Sequence, residues 1–130
     1  MIKLKIITPR GLYKEGEVEA VHVTTVDGET TILSNHMPIV AMLKTCKCTL
    51  SEHKEQKDYA LAGGLLQFAD NEMRILTDAV EGREEIDIER AKRAKERAEA
   101  RLKKQDSRTN IKRAEVALAK AINRIHVYNG

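Results

Sequence analysis

The spacing of hydrophobic and polar residues changes once along the chain, near residue 84. Before that point, apolar and polar residues alternate in short runs, which is the period of half-buried β-strands. These runs are IKLKII, VEAVHV, TTIL, VAML, TCKCTL, DYALA, LLQF and MRILT. In VEAVHV, the inward-facing residues are predicted to be Val18, either Ala20 or Val21, and Val23. Many short strands predict an antiparallel β-sandwich or flattened barrel over residues 1–84.

Turn signals separate these runs. They are Pro9-Arg10-Gly11, Glu15-Gly16, Asp27-Gly28, Ser34-Asn35, Gly63-Gly64 and Asp70-Asn71. Asp-Gly and Asp-Asn pairs tolerate the positive φ that tight hairpin turns require, so VDGET and FADNEM are predicted to be hairpins. Gly63-Gly64 could equally be a bend that backbone geometry demands.

After Gly82 the period becomes helical. Acidic residues in REEID suit the positive end of a helix dipole, and the helical pattern runs to Lys104. The polar connector QDSRTN offers Ser107, Thr109 and Asn110 as caps for a second helix. That helix, IKRAEVALAKAINRIHV, carries an apolar side made of Ile111, Ala114, Leu118, Ala121, Ile122 and Ile125. A short connector between two helices predicts an antiparallel hairpin over residues 85–130.

The hairpin is predicted to pack through alanine. The spacing that indicates this is Ala91, Ala94 and Ala98 on the first helix and Ala114, Ala117 and Ala121 on the second. An alanine seam lets helices approach closely but buries little apolar area for each residue that is ordered. We therefore expect the hairpin to dock, loosen or extend at small cost.

Charge divides the chain at the same place. Residues 1–84 hold 10 Lys+Arg against 13 Asp+Glu, a balance of −3, and residues 85–130 hold 13 against 7, a balance of +6, which together give the net +3. Such asymmetry indicates that the second part binds something anionic.

The remaining composition predicts a soluble chain. No run approaches the roughly 20 apolar residues that span a bilayer, and MIKLKIITPRG lacks the apolar core of a secretory signal. We therefore place the chain on the cytosolic side. Cys46 and Cys48 point to one face of a strand and are predicted to be buried thiols. A metal site would need further ligands, such as His36 or His53, at suitable spacing.

Cationic residues recur at helical intervals on both predicted helices. At about 100° per residue, Asp87, Arg90 and Arg97 share one stripe of the first helix, which Arg101 roughly continues. Arg113, Lys120 and Arg124 form a comparable stripe on the second helix. Converging cations would hold an anion, since Arg matches phosphate oxygens in two-point geometry. The alternative is that Asp87 only caps the helix, Arg90 only pairs with it, and the other cations form a solvated face.

Four segments resemble the epsilon subunits of F-type ATP synthases: ITPRGLYKEGEVEAVHV, DGETTILSNHMP, LAGGLLQF and IDIERA. The resemblance covers both halves of the chain and their order. IDIERA is similar to the I/L-D-x-x-R-A motif with which bacterial epsilon subunits bind ATP as a regulator. The resemblance implies an ATP site formed by Glu81, Ile86, Asp87, Arg90, Ala91, Arg97, Lys120 and Arg124. Lys120 stands where relatives carry Arg, and any need for Mg²⁺ is left open.

The resemblance also implies contacts of the first half with the rotor. Glu29, His36 and Pro38 would meet the c-ring or the gamma subunit. The family often has Gly where Thr31 stands and Pro-Gly where Ser34-Asn35 stand, so the loop departs from the family pattern while His36 and Pro38 keep their register.

The function that the resemblance implies is regulatory and non-catalytic. The sandwich would sit on the gamma subunit and the c-ring, as a peripheral part of the complex on the cytoplasmic side of a bacterial membrane. A plastid source is the alternative. The extended hairpin would reach the alpha and beta subunits and hinder ATP hydrolysis, and bound ATP, which is not hydrolysed, would hold it folded. The sequence contains no G-x-x-x-x-G-K-[ST] phosphate loop.

Two other classes of protein are alternatives. A nucleic-acid-binding module would use the basic tail, but Glu96, Glu99 and Glu115 interrupt it and Tyr128 is its only aromatic residue. A small β-fold enzyme would need paired acids or a metal cluster, and neither stands out. We therefore expect no nucleic-acid partner and no insertion into the membrane.

Overall fold

The structure, a computed structural model, describes residues 1–104 and 110–130. It consists of eight strands followed by two helices. The strands are β1 (Ile2–Thr8), β2 (Gly11–Val18), β3 (Ala20–Thr25), β4 (Gly28–Leu33), β5 (Ile39–Glu52), β6 (Glu55–Ala69), β7 (Glu72–Leu76) and β8 (Val80–Gly82). A single 3₁₀ turn (Arg83–Glu85) leads to α1 (Ile88–Lys104) and α2 (Ile111–Asn129).

The strands form a β-sandwich whose sheet does not close. They lie in the order β2-β1-β7-β6-β5-β3-β4, with β8 also paired to β6. The predicted sandwich is therefore confirmed, whereas the closed form of a flattened barrel is not observed. All pairs are antiparallel except β1 with β7, which are parallel. The predicted antiparallel sandwich thus contains one parallel pair.

Two long strands turn the continuous sheet into two layers. β5 contains both VAML and TCKCTL, and β6 contains both DYALA and LLQF, so four predicted strands are two. The first part of β6 pairs with β8 and the last part with β7. Gly63 and Gly64 stand between these parts with φ of 78° and 134°. They are the bend that was one of the two interpretations, and the chain does not reverse there.

Of the other predicted turns, some are confirmed and one is not. Asp70 and Asn71 have φ of 52° and 60°, which confirms the β6–β7 hairpin turn. The turn before Gly28 joins β3 to β4 as predicted. Glu15-Gly16 is not a turn but lies inside β2, where Gly16 pairs with Leu4. VEAVHV is likewise two strands rather than one, because β2 ends at Val18 and β3 begins at Ala20.

Large aliphatic side chains fill the space between the layers. Val18, Val21 and Val23 are fully buried, so of the two alternatives for the middle position Val21 faces inward. The other fully buried large side chains are Ile2, Leu4, Ile6, Ile32, Leu50, Leu61, Leu66, Met73 and Ile75. Cys46 and Cys48 belong to the same core, which confirms that they are buried thiols. Burial raises the pKa of both thiols, because the core cannot solvate a thiolate.

The two helices pack against each other through alanine, as predicted. Ala91 and Ala98 on α1, and Ala114 and Ala121 on α2, are each no more than 2% exposed. Asn110 caps α2, since its side chain accepts a hydrogen bond from the backbone N–H of Arg113 at 3.0 Å. The other predicted caps, Ser107 and Thr109, and the rest of the connector over 105–109 lie outside the described residues. Neither α1 nor α2, over its described length, is apolar enough to span a bilayer.

Candidate functional site

An ion pair joins the second helix to the end of the sandwich. The guanidinium Nε of Arg124 lies 2.7 Å from the Oε1 of Glu81, and both side chains are about a third exposed. Lys120, one turn earlier on α2, lines the same small gap, together with strand residues from β5 and β6. The gap measures about 10 Å³, which is room for a single water molecule. Three of the eight residues predicted for the nucleotide are thus brought together.

The start of α1 holds three more of them in structural roles. A side-chain oxygen of Asp87 accepts a hydrogen bond from the backbone N–H of Arg90 at 3.1 Å, so Asp87 caps the helix. Ile86 is buried with Ala60 and Val127, and Ala91 is in the alanine seam. The capping role foreseen for Asp87 is therefore real.

The cations of α1 lie apart from that gap. Arg90 and Arg97 are exposed and do not line it. Within the described residues, no ion pair is found for any side chain of α1. In particular, the ion pair predicted between Asp87 and Arg90 is not observed there. Arg90 and Arg97 are thus exposed cations on the surface of the hairpin.

Two residues that the sequence analysis missed attach α2 to the sandwich. The side-chain amide of Asn123 donates to the carbonyl oxygens of Cys46 and Leu61, at 2.8 and 3.5 Å. The Nε of Arg83 donates to the carbonyl oxygen of Tyr128 at 3.2 Å. An Asn in the middle of a helix is a weak signal of such a role, because Asn lowers helix propensity there. No pattern in the sequence indicated that Arg83 has such a role.

The segment between the two halves is fixed to the sandwich. The Tyr13 hydroxyl on β2 donates to the Glu85 carboxylate, and the backbone N–H of Gly82 donates to both, at 2.9 Å to Glu85 and 3.2 Å to Tyr13. Burial, and then the neighbouring Glu85 carboxylate, raise the pKa of Tyr13 because both disfavour a phenolate. The 3₁₀ turn therefore belongs structurally to the sandwich.

The loop that carries His36 is also braced. Asn35 and Asn71 exchange two hydrogen bonds, backbone N–H to side-chain oxygen at 2.6 Å and side chain to side chain at 3.0 Å. Asn35 adopts φ of 66°, so Asn supplies the positive φ that a Gly would otherwise provide. The ring of His36 packs edge-on against Phe68, 6.0 Å between centroids, and Pro38 beside it is exposed.

An exposed apolar surface adjoins this loop. Met37, Val40 and Met42 are 77%, 69% and 58% exposed, and the backbone N–H of Val26 donates to the carbonyl of Met42. Glu29 lies at the other end of β4 from the His36 loop, with its carboxylate 3.6 Å from the Nε2 of His22. The structure brings His36 and Pro38 together and leaves Glu29 apart.

Both halves of the chain match known protein families. Residues 1–83 match the family described as ATP synthase, Delta/Epsilon chain, beta-sandwich domain, and residues 84–129 match the corresponding long alpha-helix domain. The chain belongs to the ATP synthase delta/epsilon family. Its relatives within that family include proteins named ATP synthase epsilon chain from Clostridium novyi, 47% identical over 126 residues (96% of this chain and 95% of the relative), and Bacillus velezensis, 40% identical over 126 residues (97% and 96%).

Chains in solved structures of ATP synthases share this fold. A chain of the Euglena gracilis mitochondrial ATP synthase superposes with a TM-score of 0.85 at 24% identity, covering 99% of this chain and 81% of the other. A chain of the Tetrahymena thermophila mitochondrial enzyme gives 0.59 at 14% identity, with 98% and 93% covered. At these identities the likeness concerns the fold: an open β-sandwich followed by two helices.

Proposed function

We propose that the chain is a non-catalytic regulatory subunit of the central stalk of an ATP synthase. Its sandwich docks on the gamma subunit and the c-ring, and its extended hairpin reaches the alpha and beta subunits and inhibits ATP hydrolysis. ATP binds to the folded hairpin as a regulatory ligand that is not hydrolysed, and so favours the uninhibiting state. The complex places the chain peripherally, on the cytoplasmic side of a bacterial membrane. The name shared by its relatives supports the subunit assignment.

The observation that carries the nucleotide proposal is the arrangement of cations around the alanine seam. Four of them directly precede a buried seam alanine: Arg90 before Ala91, Arg97 before Ala98, Arg113 before Ala114, and Lys120 before Ala121. On two antiparallel right-handed helices, the position before a seam residue points to the same side of the pair from both helices. Both cationic stripes therefore border one side of the hairpin, and Glu81 meets the hairpin on that side through Arg124.

The Arg and Lys donors on this side of the hairpin suit a polyphosphate, but the gap beneath them is too small for a nucleotide. Arg and Lys side chains are the donors that phosphate oxygens take, whereas about 10 Å³ is smaller than a phosphate group. ATP therefore has to lie across the surface of the hairpin, or separate Arg124 from Glu81. In either position Arg90, Arg97 and Lys120 supply positive charge, and Glu81, once released, supplies a hydrogen-bond acceptor.

A calorimetric titration of the full chain with ATP tests this site. We expect Arg124→Ala and Arg90→Ala each to weaken ATP binding about tenfold, the typical effect of losing one charged hydrogen bond. Arg93→Ala is the matched control, because Arg93 is an exposed cation of α1 about 200° around the helix from Ala91. Identical titrations for all four proteins would remove the nucleotide site and leave the family assignment intact.

The positive charge of α1 supports the proposed inhibitory role. This helix carries eight Lys or Arg and three Glu over its 17 residues, so its exposed surface suits an acidic partner. We expect the full chain to slow ATP hydrolysis by an ATP synthase stripped of its own epsilon chain. Arg93→Glu combined with Arg101→Glu should weaken the inhibition, while Lys3→Glu, an exposed change on β1, should not. Equal inhibition by all three would exclude an electrostatic brake.

We propose that the sandwich docks on the rotor through the exposed apolar surface beside His36. Met37 and Val40 would be costly to leave in water on a surface with no partner, and Pro38 and His36 lie in the same braced loop. Val40→Asp should reduce binding to a gamma–c-ring complex in a pull-down experiment. Leu12→Asp, an equally drastic change at an exposed site on β2, is the control. If Leu12→Asp and Val40→Asp bind alike, the docking surface lies elsewhere.

A further inference from the structure

Within the described residues, few groups hold the folded hairpin to the sandwich, and they lie in the second half of α2 and in the segment before α1; one of them is the Arg124–Glu81 ion pair described above. The apolar contact of the hairpin is a small cluster of Ala60 on β6, Ile86 before α1, and Val127 on α2. Val127 is fully buried. Three side chains cannot by themselves select one orientation of a helix on a sheet, because hydrophobic contact is non-directional. The direction has to come from polar groups.

Besides the Arg124–Glu81 ion pair, Asn123 supplies that direction. It precedes Val127 by four residues and so lies on the same face of α2. Its side-chain amide reaches the carbonyls of Cys46 and Leu61, which are paired opposite each other in the β5–β6 ladder. Backbone carbonyls only accept hydrogen bonds, so the group that faces them must be the NH₂ and not the oxygen of the amide. The contact therefore exists at a single position of α2 over one pair of strand residues.

Arg83 secures the last turn. Its guanidinium donates to the carbonyl of Tyr128, in the final turn of α2, where carbonyls have no partner within the helix and a positive charge is favourable. Arg83 belongs to the 3₁₀ turn that Tyr13 and Glu85 fix to the sandwich. Arg83 thus binds the end of α2 from a segment that is itself attached to the sandwich.

We propose that Asn123 and Arg83 form a polar clamp that fixes where α2 docks and sets how readily the hairpin leaves the sandwich. Asn123 and Arg83 are not among the cations proposed for the nucleotide, although Asn123 lines the same gap as Lys120 and Arg124, and the clamp acts whether or not nucleotide is bound. Its regulatory meaning rests on the proposed function, since leaving the sandwich is the first step of inhibition there. Because the clamp has few bonds and one geometry, undocking is inexpensive and redocking restores the same register.

Amide hydrogen exchange on the full chain, without nucleotide, tests the clamp. Asn123→Asp keeps the shape of the side chain but turns a carboxylate toward two carbonyl oxygens. We expect the amides of α2 from Ala121 to Val127 to exchange at least about tenfold faster, the effect of about 1.4 kcal/mol. Asn129→Asp is the matched control, with the same charge change at an exposed position of the same helix end. Unchanged exchange in Asn123→Asp would overturn the proposal.

A second variant separates undocking from unfolding of the helix. Arg83→Ala leaves the sequence of α2 intact and should also speed exchange in its last turns, with the helical circular dichroism of the protein unchanged. If Asn123→Asp lowers the helical signal, Arg83→Ala alone decides: faster exchange supports the clamp and wild-type exchange overturns it. Because no ATP is used, failure of the clamp and failure of the nucleotide site give separate results.

Discussion

The sandwich and the hairpin are built from apolar residues of different size. Between the layers of the sandwich lie Ile, Leu, Met and Val side chains that are nearly all fully buried, whereas the helices meet through alanines. A buried Leu or Ile contributes roughly two to three times the transfer free energy of a methyl group. The hairpin touches the sandwich mainly through Val127 and a few polar bonds. We therefore expect the hairpin to be held less firmly than the core of the sandwich.

The largest effect should come from the bend in β6. A Cβ at Gly64 would stand 2.0 Å from the carbonyl oxygen of Leu76, and its φ of 134° is strained for any other residue. Gly64→Ala should therefore lower the free energy of unfolding of the sandwich by about 3 kcal/mol or more, measured by denaturant titration. Gly16→Ala, at a strand position with nothing within 4 Å, should have almost no effect. Equal losses in both would show that the bend is not a rigid element.

A smaller effect, confined to the other half, is expected from Val127. Val127→Ala removes two buried methyl groups and should weaken docking of the hairpin by about 2 kcal/mol. The change should appear as faster amide exchange in α2 while the unfolding midpoint of the sandwich stays the same. Val116→Ala, at an exposed position of α2, serves as the control. A cooperative loss of both halves in Val127→Ala would contradict the view of a lightly held hairpin.

The smallest effect concerns the junction between the two halves. The pKa of Tyr13 is raised in the folded protein, so its stabilising contribution is complete below the ordinary tyrosine pKa of about 10 and is lost as pH rises toward the folded value. Stability of the wild type should fall more steeply above pH 10 than that of Tyr13→Phe. Matching pH profiles from thermal unfolding would show that Tyr13 does not hold the 3₁₀ turn to the sandwich.

Much of this comparison was predictable from sequence. Alternation of apolar residues gave the strands, and the alanine spacing gave a seam that the structure confirms at Ala91, Ala98, Ala114 and Ala121. Strand lengths were not predictable, because continuous pairing carries β5 and β6 through residues that locally resemble loops or turns. Glu15-Gly16 failed as a turn for the same reason: its neighbour β1 supplies the hydrogen bonds of an extended strand.

Periodicity by itself determined that the first half consists of strands, where the helical half begins, and that cations border the seam, since each follows from local geometry repeated along the chain. It did not settle every inward-facing residue, because Ile111 and Ile122, predicted on the apolar side of α2, are 44% and 46% exposed. Only the tertiary structure decided that Arg124 meets Glu81, that Glu29 stands apart from His36, and that Asn123 and Arg83 hold α2. These contacts join residues far apart in sequence. They depend on how two finished elements are placed against each other, and no local pattern records that placement.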